Sequence, residues 1–114
     1  MPKTDKSAAD FRRAYRKNVK LLVGFHCYAP NAPIPDGFAR AVSLSETGAM
    51  LELPDLYQVG NEFDLEFLFD NDFIAPLKGK IVRIDKRKEM YETAIEFAKV
   101  PAKIKRLIED QIKE

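Results

Sequence analysis

The clearest pattern in the chain is an alternation of apolar and polar residues near its centre. Four large apolar residues alternate there with mostly acidic neighbours, and these are Phe63, Leu65, Phe67 and Phe69. Because successive side chains of a β-strand point to opposite faces, a period of two indicates a strand with one buried face. The pattern therefore predicts a strand over residues 61–69, and Asp70-Asn71-Asp72 predicts the turn that follows it.

Five other segments are rich in strand-forming residues and are separated by turn signals. They cover residues 19–28, 38–43, 49–53, 73–85 and 90–97. The segment 29–37 contains three prolines and predicts a stiff loop. The polar residues 43–48 lie between two short apolar runs, so we expect a hairpin at that point.

A different period appears near the C-terminus. After Pro101, which suits the first turn of a helix, apolar residues recur at helical spacing at Ile104, Leu107, Ile108 and Ile112. Antiparallel strands with short turns and one terminal helix predict a mainly β fold. We expect a small antiparallel β-barrel of about six strands with a C-terminal α-helix.

The length of 114 residues fits one domain with a single core. Residues 1–10 lack a periodic apolar face and predict a flexible N-terminal tail, while residues 11–114 predict the domain itself. Cys27 is the single cysteine and His26 the single histidine, so a reduced protein without a metal site is expected. No apolar stretch approaches the roughly 18 residues of a membrane span, which favours a cytoplasmic protein without membrane insertion.

The net charge of +1 conceals an uneven distribution of charge along the chain. Residues 1–20 carry a net charge of +5, residues 21–77 carry −8, and residues 78–114 carry +4. An acidic central region repels a nucleic-acid backbone, whereas a local basic arm can still bind a small dianion. Long nucleic acid is therefore disfavoured as a partner.

Catalytic chemistry finds little support in the sequence. An enzyme needs a nucleophile with a base, a metal site or a phosphate loop, and His26 has no partner at a suitable spacing. Asp64 and Glu66 alternate with core-facing residues, so we interpret them as carboxylates of a solvated strand face. The eight Phe and four Tyr residues fit a core better than a platform for stacking bases. We therefore predict a protein that is not an enzyme and has no catalytic residues.

Two short segments indicate binding of an anion. The N-terminal basic run contains Arg12 and Arg16, four residues apart, with Arg13 between them. Guanidinium groups match phosphate oxygens and the O6/N7 edge of guanine in bidentate fashion. A basic run of this kind is more often a solvated tail, so the segment alone does not decide between the two interpretations.

The second segment is the polar turn over residues 43–48. Ser43 and Ser45 carry small hydroxyl groups, and Gly48 permits close backbone approach or a positive φ. A Ser-x-x-Gly sequence usually only turns a hairpin. An anionic guanine nucleotide would satisfy the chemistry of both segments together.

The order and spacing of the two segments resemble the PilZ domain, whose ligand motif is Arg-x-x-x-Arg followed by [Asp/Asn]-x-Ser-x-x-Gly at a turn between strands. Arg12 and Arg16 match the first part, and Ser45 and Gly48 match two of three positions in the second. Ser43 stands where the family has Asp or Asn. Residues 77–84 and 93–97, with the helix after them, are similar to the family's later strands and closing helix.

The resemblance implies a bacterial signalling receptor that binds cyclic di-GMP and passes the signal to an unidentified protein partner. The residues implied in ligand binding are Arg12, Arg13, Arg16, Ser43, Ser45 and Gly48. A serine hydroxyl is shorter than Asp or Asn and accepts at one atom, which removes about 1–3 kcal/mol if one hydrogen bond is lost. Two alternatives remain open at this point: a degenerate PilZ scaffold that binds a protein without the nucleotide, and a small RNA-binding barrel.

Overall fold

The computed structural model describes residues 16–113 and has six β-strands followed by one α-helix. The strands are β1 (Lys17–Cys27), β2 (Asp36–Leu44), β3 (Gly48–Leu53), β4 (Glu62–Leu68), β5 (Ile74–Lys86) and β6 (Tyr91–Phe97), and the helix is α1 (Ala102–Ile112). The predicted fold class is confirmed. The strand ends differ from the predicted ones by a few residues, because β1 begins at Lys17 rather than Val19. The predicted tail, residues 1–10, lies outside the described residues.

The six strands form a closed antiparallel barrel in the order β1-β2-β3-β6-β5-β4. The ring closes through the pairing of β4 with β1, in which Val23 lies opposite Phe67. Closure pairs the two strands that would otherwise be sheet edges. Other molecules must therefore bind to the faces, the ends or the loops of the barrel rather than extend its sheet.

The core fills the barrel with the inward residues of the alternating strands. The rings of Phe25 and Phe63 lie 5.6 Å apart, and those of Phe67 and Phe97 lie 5.8 Å apart at nearly a right angle. Tilted and edge-to-face pairs of this kind add to the stabilisation from buried area. The expectation that Phe residues belong to the core holds for these four, whereas Phe38 is 73% exposed on the outer face.

Helix α1 closes one end of the barrel. Its apolar face buries Ile104, Ile108 and Ile112 against the core. Gln111 exchanges two hydrogen bonds with Asp70, at 3.0 Å to its backbone amide and 2.7 Å to its carboxylate. Because Asp70 lies between the end of β4 at Leu68 and the start of β5 at Ile74, the helix lies at that end of the barrel. The helix is too short and too polar to cross a membrane, and the structure of residues 16–113 contains no helix that could do so.

Candidate functional site

The turn between β2 and β3 is held by the side chain of Ser45. Its Oγ accepts hydrogen bonds from the backbone amides of Thr47 and Gly48, each at 3.2 Å. The same hydroxyl lies 3.3 Å from the carbonyl oxygen of Gly48, to which it can donate. The amide of Ser45 donates to that carbonyl as well, at 2.9 Å. Ser45 is almost fully buried, so its hydroxyl shapes the backbone of the turn.

Gly48 is required by the packing of β3 against β6. A Cβ atom at this position would overlap the carbonyl oxygen of Ile95 on β6. The backbone of Gly48 does not adopt a positive φ. The close approach that the sequence predicts at this glycine is therefore an approach to the neighbouring strand. The amide of Phe97 also donates to the carbonyl oxygen of Thr47 at 2.8 Å, which ties the turn to the end of β6.

Ser43 faces the outside of the barrel because of a β-bulge in β2. The register with β3 shifts between Ala41, which lies opposite Leu51, and Ser43, which lies opposite Met50. Since Met50 stands between two core residues, Ala49 and Leu51, it points outward. A shift of one residue moves the following side chains to the other face, so Ser43 points outward with Met50.

The hydroxyl of Ser43 is buried and without a partner. The residue is only 6% exposed, and its Oγ has no hydrogen-bond partner within residues 16–113. Leaving a buried polar atom unpaired costs about 1–3 kcal/mol, which makes such an atom a candidate for a role in binding. This is the position at which the family motif has a longer polar side chain.

Arg16 lies immediately before β1 and is exposed. The register of β1 with β2 places Lys17 opposite Leu44 and Asn18 opposite Ser43. The arginine segment therefore ends, and β1 begins, beside the residues that begin the Ser/Gly turn. Arg12 and Arg13 lie outside the described residues.

The register also places beside Ser43 residues that the sequence pattern does not single out. Asn18, Ser43, Met50 and Ala94 form one row across four strands on the outer face. Asn18 is exposed at the β1 end of this row. The pattern of apolar residues reveals neither of the two register shifts on which this arrangement depends. One lies between Ala41 and Ser43 in the pairing with β3, and it turns Ser43 outward. The other lies between Asn18 and Leu21 in the pairing of β1 with β2, and it places Asn18 opposite Ser43.

The turn is connected to helix α1 by two contacts at the same end of the barrel. Glu46, in the middle of the turn, lies 3.8 Å from the ammonium group of Lys105 on the helix. Lys17, at the start of β1, donates a hydrogen bond to the carbonyl oxygen of Lys113 at 3.5 Å. The turn, the start of β1 and the helix are therefore one contiguous region.

A second polar cluster lies on the outer face of β4 and β5. Lys78 donates to Asp64 at 2.7 Å, and the hydroxyl of Tyr28 donates to the other carboxylate oxygen. The hydrogen bond from Lys78 is the main cause that lowers the pKa of Asp64, while the bond to Asp64 raises the pKa of both Tyr28 and Lys78. These groups line a groove of about 440 Å³ together with Glu62 and Lys80. The ion pair with Lys78 and the exposure of both side chains agree with the interpretation of Asp64 as a carboxylate on a solvated strand face.

The described residues offer no centre for metal chemistry. Within residues 16–113 there is no group of three His, Cys, Asp or Glu side chains that could hold a metal ion. His26 instead pairs with Asp36, its Nδ1 lying 2.6 Å from the carboxylate. Cys27 is buried in the core as a free thiol.

Comparisons with known proteins agree on one family. The family model of the PilZ domain matches residues 10–114. The solved PilZ domain of YcgR from Escherichia coli with c-di-GMP has a TM-score of 0.72 and 18% identity, and the match covers 89% of this chain and 88% of that one. The PilZ domain of CeSA from a cellulose-synthesizing bacterium has a TM-score of 0.62 and 11% identity, covering 86% and 94%. No curated protein matches the chain by sequence.

A longer protein shares the same fold. The inhibitor of motility MotI/DgrA of Bacillus subtilis has a TM-score of 0.71 and 16% identity, and the match covers 89% of this chain. This chain spans about half of that protein, since only 48% of MotI/DgrA is covered. At such identities the likeness to solved structures demonstrates the fold alone.

Proposed function

Because this chain belongs to the PilZ domain family, we propose that it is a receptor that binds cyclic di-GMP and relays the signal to a protein partner. The ligand would be held between residues 12–16, which we call the arginine arm, and the turn between β2 and β3. The receptor would make and break no covalent bond, so its output is a change of surface rather than a product.

The observation that carries this proposal is the register of β1 with β2. Lys17 lies opposite Leu44 and Asn18 opposite Ser43, so the arginine arm ends beside the turn. A small dianion bound at the turn would be within reach of an arm that joins β1 at this point. Arg16, just before β1, and Lys20, within it, are both exposed and add positive charge on either side of Asn18.

The proposed roles of the residues differ in kind. Arg12 and Arg16 would bind phosphate oxygens and a guanine edge through their guanidinium forks, and Arg13 would add positive charge. Ser43 would face a guanine from the outer surface of β2. Ser45 and Gly48 would act mainly by fixing the shape of the turn, since the hydroxyl of Ser45 is hydrogen-bonded within it.

The contacts of the turn supply a physical route for the relay. Ligand binding that shifts the turn would alter the pair formed by Glu46 and Lys105, and so the position of helix α1. Ordering of the arm at the same end of the barrel would change the surface there as well. A partner that recognises this end would then distinguish the bound receptor from the free one.

A second candidate function is a scaffold that binds a protein partner without the nucleotide. Ser43 favours it, because a serine stands where the family has Asp or Asn. The outer face also carries exposed apolar side chains on neighbouring strands, namely Leu22, Phe38, Leu68 and Ile74. Apolar groups of this kind on a closed barrel are suited to a protein contact.

Calorimetric titration of the purified full chain with cyclic di-GMP distinguishes the two candidates. We expect binding in the micromolar range, about −8 kcal/mol, and weaker binding of GTP. A protein concentration of about 100 μM is well above that dissociation constant, so binding would release measurable heat. Absence of a heat signal under these conditions, with the protein shown to be folded by circular dichroism, would favour the scaffold.

A further inference from the structure

The outer-face row at the start of β1 contains a carboxamide beside an unpaired hydroxyl. Asn18 and Ser43 are direct partners in the antiparallel pairing of β1 with β2. Side chains of directly opposed residues project from the same face of the sheet, with Cβ atoms about 4.5–5.5 Å apart. Asn18 is therefore the direct neighbour of Ser43 on β1, as Met50 is on β3, and the three residues share one face of the sheet.

The two side chains differ in what they can offer a guanine edge. Ser43 has a single hydroxyl oxygen close to the backbone, and this oxygen is buried with no partner within residues 16–113. A carboxamide has an acceptor oxygen and two N–H donors on a longer side chain. Guanine presents neighbouring donors and acceptors on its edges, so a carboxamide can form a pair of hydrogen bonds with it where a serine forms one.

The position of Asn18 relative to the arginine arm supports the same assignment. Asn18 follows Arg16 by two residues and is exposed, as Arg16 is. In extended backbone, residues two apart project to the same face. If Arg16 binds a phosphate group of the ligand, the guanine base of that ligand would therefore lie near Asn18 and Ser43.

We propose that Asn18 is a ligand-binding residue whose carboxamide contacts the guanine of the nucleotide, in place of the longer side chain that Ser43 lacks. This inference rests on the proposed function, because it concerns the same ligand. The contact is made from β1 rather than from β2, and the bulge in β2 brings Ser43 to the outer face beside Asn18. The two positions thus act as one polar subsite.

A double-mutant cycle with cyclic di-GMP as the titrant tests this assignment on the full chain. The variants are Asn18→Ala, Ser43→Asn and the combination of both, with dissociation constants measured by calorimetry and folding checked by thermal denaturation. Asn31→Ala is the matched control, because it also removes an exposed carboxamide. Asn31 lies in the loop that follows β1, at the opposite end of the barrel. We expect Asn18→Ala to weaken binding about tenfold, the value of roughly one hydrogen bond.

The cycle also tests whether the two positions share one role. Ser43→Asn should improve binding by about twofold or less in the wild type but recover most of the loss in the Asn18→Ala background, because neighbouring groups with one function are not additive. Unchanged affinity of Asn18→Ala, or an equal gain from Ser43→Asn in both backgrounds, would overturn the assignment while leaving the receptor function intact. No binding by the wild-type chain would instead refute the receptor function itself.

Discussion

Gly48 and Ile95 lie so close across the pairing of β3 with β6 that a Cβ atom on Gly48 would overlap the carbonyl oxygen of Ile95. The obstacle is backbone, which cannot rotate away as the end of a side chain can. The motif glycine therefore has a structural role at the base of the turn, whatever ligand the turn binds.

Gly48→Ala should lower the free energy of unfolding by about 1–3 kcal/mol, because the two strands must separate to accommodate the methyl group. Chemical denaturation measures this change. Gly24→Ala is the matched control, since the nearest atoms to a Cβ there are side-chain atoms of Phe38 at 3.5 and 3.7 Å, an ordinary contact distance. Equal stability of the two variants would contradict the assigned role of Gly48.

Ser45→Ala should destabilise the protein by about 1–2 kcal/mol, because the amides of Thr47 and Gly48 lose a shared acceptor in a buried turn. Affinity for cyclic di-GMP should fall along with stability, since the turn would no longer keep its shape. Thr47→Ala removes a hydroxyl that lies 3.3 Å from the Oγ of Ser45 but leaves that oxygen in place as the acceptor of the two amides, so it should alter both quantities less than Ser45→Ala does. A loss of affinity at unchanged stability would mean that Ser45 contacts the ligand directly.

The proposed role of the arginine arm predicts that substitutions in it lower the affinity for cyclic di-GMP by different amounts. Arg16→Ala should weaken binding of cyclic di-GMP by about 1.5–3 kcal/mol, because it removes a charge together with its hydrogen bonds. Arg12→Lys should cost less, since lysine keeps the charge and loses only the bidentate geometry. Arg87→Ala, in the turn between β5 and β6, serves as the control. If both arm variants bound like the control, the arm would be a solvated tail only.

The alkaline stability of the fold should depend on Tyr57. This residue is buried and donates a hydrogen bond to the carbonyl oxygen of Ile34 at 2.6 Å. Burial raises the pKa of Tyr57 from 10.0 to about 12. Because the folded-state pKa is raised, its contribution is fully present below pH 10 and is lost as the pH rises through about 12, amounting to roughly 2–3 kcal/mol.

Tyr57→Phe removes this titration, so the free energy of unfolding should decline less steeply between pH 10 and 12 in the variant. Urea denaturation at several pH values across this range gives the comparison. The variant should be somewhat less stable at neutral pH, because the carbonyl oxygen of Ile34 loses its donor. An identical pH dependence in both proteins would show that Tyr57 ionises freely in the folded state.

The barrel could be predicted from the sequence because the alternation of apolar and polar residues along a strand shows which of its faces is buried. The alternation of Phe63, Leu65 and Phe67 with acidic residues gave the location and the buried face of β4, and the structure confirms both. Pro101 and the helical spacing after it likewise gave α1. Phe38 departs from this rule, since its ring lies over Gly24 on the outer face, where the glycine leaves room for it.

The candidate site was less predictable, because its geometry depends on pairing between strands rather than on local composition. The bulge that turns Ser43 outward is a property of the register between β2 and β3. The neighbourhood of Asn18 and Ser43 depends in the same way on the register with β1. The hydrogen bonds of Ser45 and the contact of Gly48 with β6 also arise only in the folded chain. The ligand roles of Arg12, Arg13, Arg16, Ser43, Ser45 and Gly48 stay predictions.

The most direct test of the receptor function is a titration of the isotope-labelled full chain with cyclic di-GMP, followed by the amide resonances in two-dimensional NMR spectra. With the ligand at about tenfold above a micromolar dissociation constant, the site should be nearly saturated. We predict that the largest shift changes fall on residues 16–18 and 43–48, with smaller changes on helix α1. Unchanged spectra, or changes centred on the groove lined by Tyr28, Asp64 and Lys78, would contradict binding between the arm and the turn.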